Sequence, residues 1–210
     1  MKTLECRGIT LSDKQTKICV PITGTDLEEI KEQAEKIANM NPDVVEWRAD
    51  FYDVKNNDET EFEQCLKAIN DNLKKIPIIY TYRTSNEGGE KSIDVDDYCR
   101  LCKYVSEMSE KYNVAMIDVE LYENKDRKDI GKLLLDIKSN GVKVIGSNHH
   151  FEGTPSEKDI FNVLKTMEEA GADICKIAVM PKEKVDVKTL INASKKANKE
   201  LNAPIITMSM

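Results

Sequence analysis

No apolar run in this chain approaches the length that spans a bilayer, and its N-terminus lacks the apolar core of a signal peptide. No membrane partner is therefore expected, and with no targeting signal the default compartment is the cytoplasm. Basic clusters are missing too. Lys and Arg number 31 against 38 Asp and Glu, a net charge of −7, which argues against a phosphate-backbone binder and against nucleic acid as a partner. A Gly-x-Gly-x-x-Gly fingerprint is absent after the first strand-like core run, as is a phosphate loop, which removes the usual function of an open doubly wound sheet. Six cysteines lie scattered, mostly in apolar patterns, and read as reduced, buried small hydrophobes. Cys99-x-x-Cys102 has no second Cys or His pair nearby, so no zinc site is expected.

What is present is a repeating pattern. The 210 residues are 40% hydrophobic and 33% charged, enough for a substantial core in one domain spanning residues 1–210. Runs 3–10 and 17–22, with the polar turn Ser12-Asp13-Lys14-Gln15 between them, predict an N-terminal hairpin leading into the first core strand. Thr25-x-x-Glu28 reads as a capping box before a helical stripe of Leu27, Ile30, Ala34 and Ile37. Strands are expected at 44–50, 76–83, 114–121, 142–147, 173–179 and 204–210. Helices are expected at 61–73, 94–111, 129–139, 157–170 and 186–200, with Thr154-Pro155-Ser156-Glu157 as the start signal of the fourth. Strand–helix alternation of this kind means a parallel α/β fold, either an open sheet or a closed barrel.

Within the run 172–180 one residue is out of place. Lys176 sits in the middle of an apolar strand, where an unpaired ammonium is expensive and tends toward the neutral, nucleophilic amine. A stem lying along the strand with its head in water is the plain alternative. Strand alternation supplies neighbours. Glu46 and Arg48 share a face, as do Asp118 and Glu120, Ser147 and His149, and Met208 and Met210, while Arg83 ends its strand. Polar groups at the C-terminal ends of successive parallel strands are where active sites of such folds assemble. Glu46, Asp118 and Glu120 favour a charged Lys176, whereas Arg48 and Arg83 disfavour it.

These residues resemble the type I 3-dehydroquinate dehydratases. The resemblance rests on Glu46-Trp-Arg48-Ala-Asp50, Arg83-x-x-x-Glu87-Gly-Gly, Asp118-Val-Glu120, Ser147-Asn-His149-x-Phe151, Lys176-Ile-Ala-Val-Met180 and Thr207-Met-Ser-Met210, one motif per strand and in order. It implies a (β/α)8 TIM-type barrel with an N-terminal β-hairpin, and a Schiff-base dehydration of 3-dehydroquinate to 3-dehydroshikimate in the shikimate pathway. Lys176 then forms the imine, His149 serves as general base and acid, and Glu87 orients His149 and holds its protonated form. Glu46, Arg48 and Arg83 position polar groups of the substrate, and Met208 and Met210 pack against its ring. No metal and no cofactor is implied, and the family suggests a homodimer.

Two departures from the pattern matter. His150 stands where the family usually has Asp, and strand phase turns His149 inward and His150 outward. The resemblance also implies an eighth strand and last helix beyond Met210, so an open edge is expected between the first and seventh core strands. A class I aldolase-like Schiff-base barrel and a non-catalytic binding partner stand as the competing readings.

Overall fold

The computed structural model describes residues 2–12, 14–53, 58–122 and 128–210. Strands β1 (Thr3–Cys6) and β2 (Ile9–Ser12) form an antiparallel hairpin. The remaining strands make one parallel sheet in sequence order: β3 (Cys19–Ile22), β4 (Val44–Arg48), β5 (Ile78–Thr81), β6 (Val114–Glu120), β7 (Lys143–His150), β8 (Ile174–Val179) and β9 (Ile205–Ser209). Helices α1 (Leu27–Ala38), α2 (Glu59–Leu73), α3 (Val95–Glu107), α4 (Ser109–Tyr112), α5 (Lys128–Ser139), α6 (Glu157–Glu169) and α7 (Lys184–Glu200) fill the crossovers.

Residue alternation gives this curled sheet two different faces. Val45, Trp47, Ile78, Tyr80, Ile117, Val119, Val144 and Ile177 point outward into a continuous core with the helices. Trp47 anchors it, with no exposed area and with Phe62 and Tyr80 rings at 5.7 and 5.6 Å. On the concave face Val44, Ala115, Met116, Ile145 and Ile174 pack with Cys6 and Ile9 of the hairpin. The hairpin therefore plugs the N-terminal end of the curled sheet, and the C-terminal ends of the strands are left for polar side chains. The sheet is open among the described residues, with β3 and β9 as its edges, and Ile206, Met208 and Met210 are 37–43% exposed along the latter.

Several local expectations shift. The hairpin turn is Arg7-Gly8, both at positive φ (40° and 80°), a two-residue turn of the kind whose twist matches the flanking strands. The polar stretch read as its turn instead links the hairpin to β3, and Asp13 within it lies outside the described residues. The cap of α1 is Asp26, which accepts from the Glu29 amide at 2.9 Å, while the Glu29 carboxylate accepts from the Thr25 amide and hydroxyl. The Thr25–Glu28 box is thus displaced by one residue. At α6 the cap is Ser156 and not Thr154, whose hydroxyl instead donates to the Met180 carbonyl. The single helix expected over 94–111 divides at Met108, where ψ reaches 0°. Ser109 is buried there, accepting from Arg7 and donating to the Asn140 carbonyl.

Candidate active site

Lys176 enters the site from the middle of β8, where its neighbours Cys175 and Ile177 face the helices and are fully buried. Its ammonium donates to Asp118 Oδ2 at 3.0 Å and lies 4.0 Å from Glu46 Oε1. Only 13% of the side chain is exposed, so the head stays inside the site and does not reach water along its stem. The residue expected to matter most is therefore held in the polar cluster, and Asp118 is the group that holds it.

Arg83 is the hub of that cluster. It is 4% exposed, and its guanidinium reaches Asp118 Oδ1 (2.9 Å), Glu120 Oε1 (3.1 Å), Ser147 Oγ (3.0 Å) and Glu87 Oε2 (3.6 Å). Burial by itself weakens a guanidinium's hold on its proton, but Asp118, Glu120 and Glu87 reverse this and raise the Arg83 pKa. Asp118 feels the complementary effect. Its burial favours the neutral acid, yet Arg83 and Lys176 keep it charged and well below the usual carboxylate range. Ser147 Oγ, also beside it, donates a short hydrogen bond. For Glu120 the balance goes the other way: burial prevails over Arg83 and raises its carboxyl. Thr84 supplies both an N–H and an O–H to Glu120 at 2.7 Å.

His149 stands two residues beyond Ser147 on β7, which runs through His150 and so places the imidazole on a strand and not in a loop. Its Nδ1 is 2.8 Å from Glu87 Oε2. Burial, then Arg83 and Lys176, lower its pKa from 6.5 to about 3. A neutral imidazole that donates Nδ1–H to a carboxylate leaves the Nε2 lone pair to take a proton. In the resting site the ring thus sits against Glu87, while its surroundings favour the neutral over the protonated form. This depressed pKa has a thermal consequence. Between pH 6.5 and 3 the unfolded chain binds the proton that the folded chain excludes, so stability falls as pH drops through that window. Melting temperatures measured over that range are expected to fall less steeply for His149→Gln than for the unaltered protein.

Glu87 reaches His149 because of the turn that carries it. Residues Ser85–Glu87 form a short 3-10 turn, Gly88 follows at φ 81°, and the Gly89 amide returns to the Thr84 carbonyl at 2.8 Å. A Cβ on Gly88 would lie 2.2 Å from the Phe151 ring, and one on Gly89 would lie 1.9 Å from the Arg83 carbonyl oxygen. The positive φ demands glycine at 88 and the Arg83 backbone demands it at 89, so Glu87-Gly-Gly is a turn that delivers a buried acid to the histidine. Phe151 in turn stacks beside the His149 ring, with centroids 6.5 Å apart and an interplanar angle of 20°.

The other expected residues are placed less centrally. Glu46 accepts from Thr81 Oγ1 at 2.8 Å. Arg48 pairs with Asp50 and not with Glu46, through two hydrogen bonds of 2.8 and 2.7 Å, and its guanidinium lies over Phe51. Met208 joins Glu46 and Lys176 around a cavity of about 370 Å³ whose remaining walls include Ile79, Met116 and Ile206. Met210 follows β9, its amide bonded to the Val179 carbonyl. His150 turns away from His149 to a shallow surface cleft with Glu152, Lys182 and Asp186. Among the described residues no group of three His, Cys, Asp or Glu could hold a metal, and no helix is long and apolar enough to cross a membrane.

Some participants were not singled out from sequence. Tyr98 of α3 accepts the Glu120 amide at 3.1 Å and pins the end of β6. Asp50, fully buried, accepts from Arg48 and from the Arg83 and Glu90 amides. Asn148 donates to Glu87 Oε1 at 3.2 Å. Tyr98 and Asn148 lie on the outward phase or on a helix, where alternation alone points away from the site.

Comparison with known proteins fits this arrangement. The family model described as type I 3-dehydroquinase matches residues 18–210. A 3-dehydroquinate dehydratase of Listeria monocytogenes serotype 4a is 39% identical over all of this chain and 81% of its own length. One from Bacillus licheniformis is 40% identical, over all of this chain and 80% of its own. Among solved structures, the type I enzyme of Clostridium difficile with covalently modified comenic acid superposes with a TM-score of 0.92 at 36% identity, covering all of this chain and 81% of that one. The 3-dehydroquinate dehydratase of Geobacillus kaustophilus gives 0.91 at 30% identity. On its match to the family model, its identity to these relatives and its shared backbone, this chain belongs to the type I 3-dehydroquinase family.

Proposed function

We propose that the protein is a lyase that dehydrates 3-dehydroquinate to 3-dehydroshikimate through an imine on Lys176. The observation that carries this reading is one connected cluster in which Lys176, Asp118, Arg83, Glu87 and His149 each lie within 4 Å of the next. Such a cluster pairs a buried amine with an oriented base, which an elimination beside a carbonyl requires.

The steps follow from the chemistry. The Lys176 ammonium passes one proton to His149, the amine so freed attacks the C3 carbonyl, and the proton returns to the carbinolamine hydroxyl, which leaves as water and gives an iminium. That cation withdraws electrons from C2 and acidifies its protons. His149 takes one through Nε2, the electrons move toward the iminium, and the resulting imidazolium returns the proton to the departing C1 hydroxyl. Water then hydrolyses the imine and frees Lys176. Asp118 stays charged throughout, pinning Nζ and balancing the iminium; its depressed pKa makes it a poor proton acceptor. Arg83 holds the three acids in register, Glu46 and Arg48 meet polar groups of the substrate, and Met208 and Met210 cover one side of the ring. The same reading takes the chain as one domain acting as a homodimer in the cytoplasm, and light scattering of the purified protein tests the dimer.

Borohydride reduction in the presence of 3-dehydroquinate, followed by intact mass and peptide mapping, tests the reaction. A reduced adduct on Lys176 is expected; an adduct only with sugar phosphates would favour an aldolase, and none with any carbonyl would overturn the imine. His149→Ala is expected to keep imine trapping while turnover drops by about 10³-fold, the range for a lost general base. Full turnover by that variant would remove His149 from its role.

A further inference from the structure

Asn148 has no part in the reaction just described, yet it is 2% exposed and touches the acid that orients the base. Its Nδ2 donates to Glu87 Oε1 at 3.2 Å, while the next residue, His149, holds Oε2 at 2.8 Å. Two consecutive residues of β7 therefore grip the two oxygens of one carboxylate. Alternation turns Asn148 and His149 to opposite sides of the strand, and the 3-10 turn brings Glu87 over the strand end, where both are within reach.

Stability does not explain this amide. Asn148 Oδ1 is buried and accepts no hydrogen bond among the described residues, an arrangement that weakens a fold. Rotating the amide would not help, since it would set Oδ1 against Glu87 Oε1. The arrangement makes sense from the viewpoint of Glu87. Arg83 Nη1 lies 3.6 Å from Oε2, the oxygen His149 uses. A carboxylate beside a guanidinium gains from turning both oxygens to it in a fork. With Oε1 tied to Asn148, that rotation is blocked and Oε2 stays on the imidazole.

We propose that Asn148 is a positioning residue that acts through Glu87, keeping the carboxylate on His149 and so holding the imidazole in the tautomer that carries the proton on Nδ1. Its consequence for turnover rests on the reading of His149 as general base; its consequence for the tautomer does not. The neutral amide suits the task because it fixes the carboxylate without adding charge beside the imidazole.

The test uses Asn148→Leu in the full chain, with the smaller Asn148→Ala as a second variant should leucine not fit. Imidazole ¹⁵N shifts of selectively labelled histidine report the tautomer in the free protein. The unaltered protein is expected to show His149 protonated on Nδ1, and either variant a mixture of the two tautomers. With 3-dehydroquinate, kcat is expected to fall about tenfold, an orientation effect, with KM within about twofold and imine trapping on Lys176 retained. A variant that keeps the single tautomer overturns the proposal, whatever its kinetics. If the unaltered protein neither traps nor turns over 3-dehydroquinate, the proposed reaction fails while the tautomer measurement still decides the role of Asn148.

Discussion

Lys176→Ala is expected to abolish reductive trapping and to lower turnover by roughly 10⁵-fold, the scale of losing a nucleophile from a site that works as a unit. The reasoning is chemical. Lys176 is the lysine paired with the buried acids: it lies 3.0 Å from Asp118 and 4.0 Å from Glu46, whereas Lys17, on the wall of the same cavity, pairs with Asp43. An arginine cannot replace the amine, because it does not shed its proton to become a nucleophile. Steady-state turnover with 3-dehydroquinate and mass analysis after borohydride give the answer together. An adduct in Lys176→Ala on another lysine, with turnover preserved, would move the imine elsewhere. The fold should survive the change. Asp118 keeps Arg83 at 2.9 Å and the Ser147 hydroxyl, so its buried charge is not left alone.

Arg83→Leu should have the largest effect on stability. It leaves Asp118, Glu120 and Glu87 buried without the cation that all three face, and breaking such a buried network costs about 3–5 kcal/mol. For a chain of this length that lowers Tm by roughly 10 °C. The pH dependence separates this cause from simple loss of packing. In the unaltered protein Asp118 has a depressed pKa, so its stabilising contribution is present above the unfolded value of 3.8 and is lost as pH falls through that range. Without Arg83 the charged carboxylates are a burden in the folded state, and their pKa values rise. The variant's deficit against the unaltered protein should therefore be largest near neutral pH and shrink as the medium is acidified. Thermal melts at pH 7 and pH 4.5 read this directly; an equal deficit at both would assign the loss to packing and not to charge.

These two substitutions also mark where sequence was legible. The rule that strand side chains alternate was enough to bring Glu46, Asp118, Ser147, His149 and Lys176 to one face, because the period of a strand is two whatever the fold around it. Burial on both sides of the sheet explains why strands such as Val114–Glu120 read as continuous apolar runs broken only by acids, and every residue of that strand is buried. The motif order carried the family and, with it, the barrel-like curl.

Contacts between strands were another matter. Sequence placed Glu46 and Arg48 on one face, since residues two apart on a strand share it. The structure gives Arg48 to Asp50, which lies beyond the strand end where alternation no longer applies. Arg83 was read as one of two cations discouraging a charge on Lys176. Its real position, ringed by three acids, depends on the stagger between β5, β6 and β7, and that is set by packing, not by local pattern. Caps and turns slipped by one or two residues at α1 and α6, because Thr, Asp and Ser compete for the same amide groups and the docking angle of the helix selects the winner.

By itself, then, the sequence determined which residues belong to the concave face, the succession of strands and helices, and the family. Tertiary structure alone decided how those residues are joined: Asp118 as the partner of the lysine, Arg83 as the hub, and a double-glycine turn that brings Glu87 to Asn148 and His149 from 61 and 62 residues away in the chain. The physical reason is range. Alternation and propensity act over a few residues, whereas the charge state of a buried amine or imidazole depends on every group within several ångströms, whichever strand supplies it.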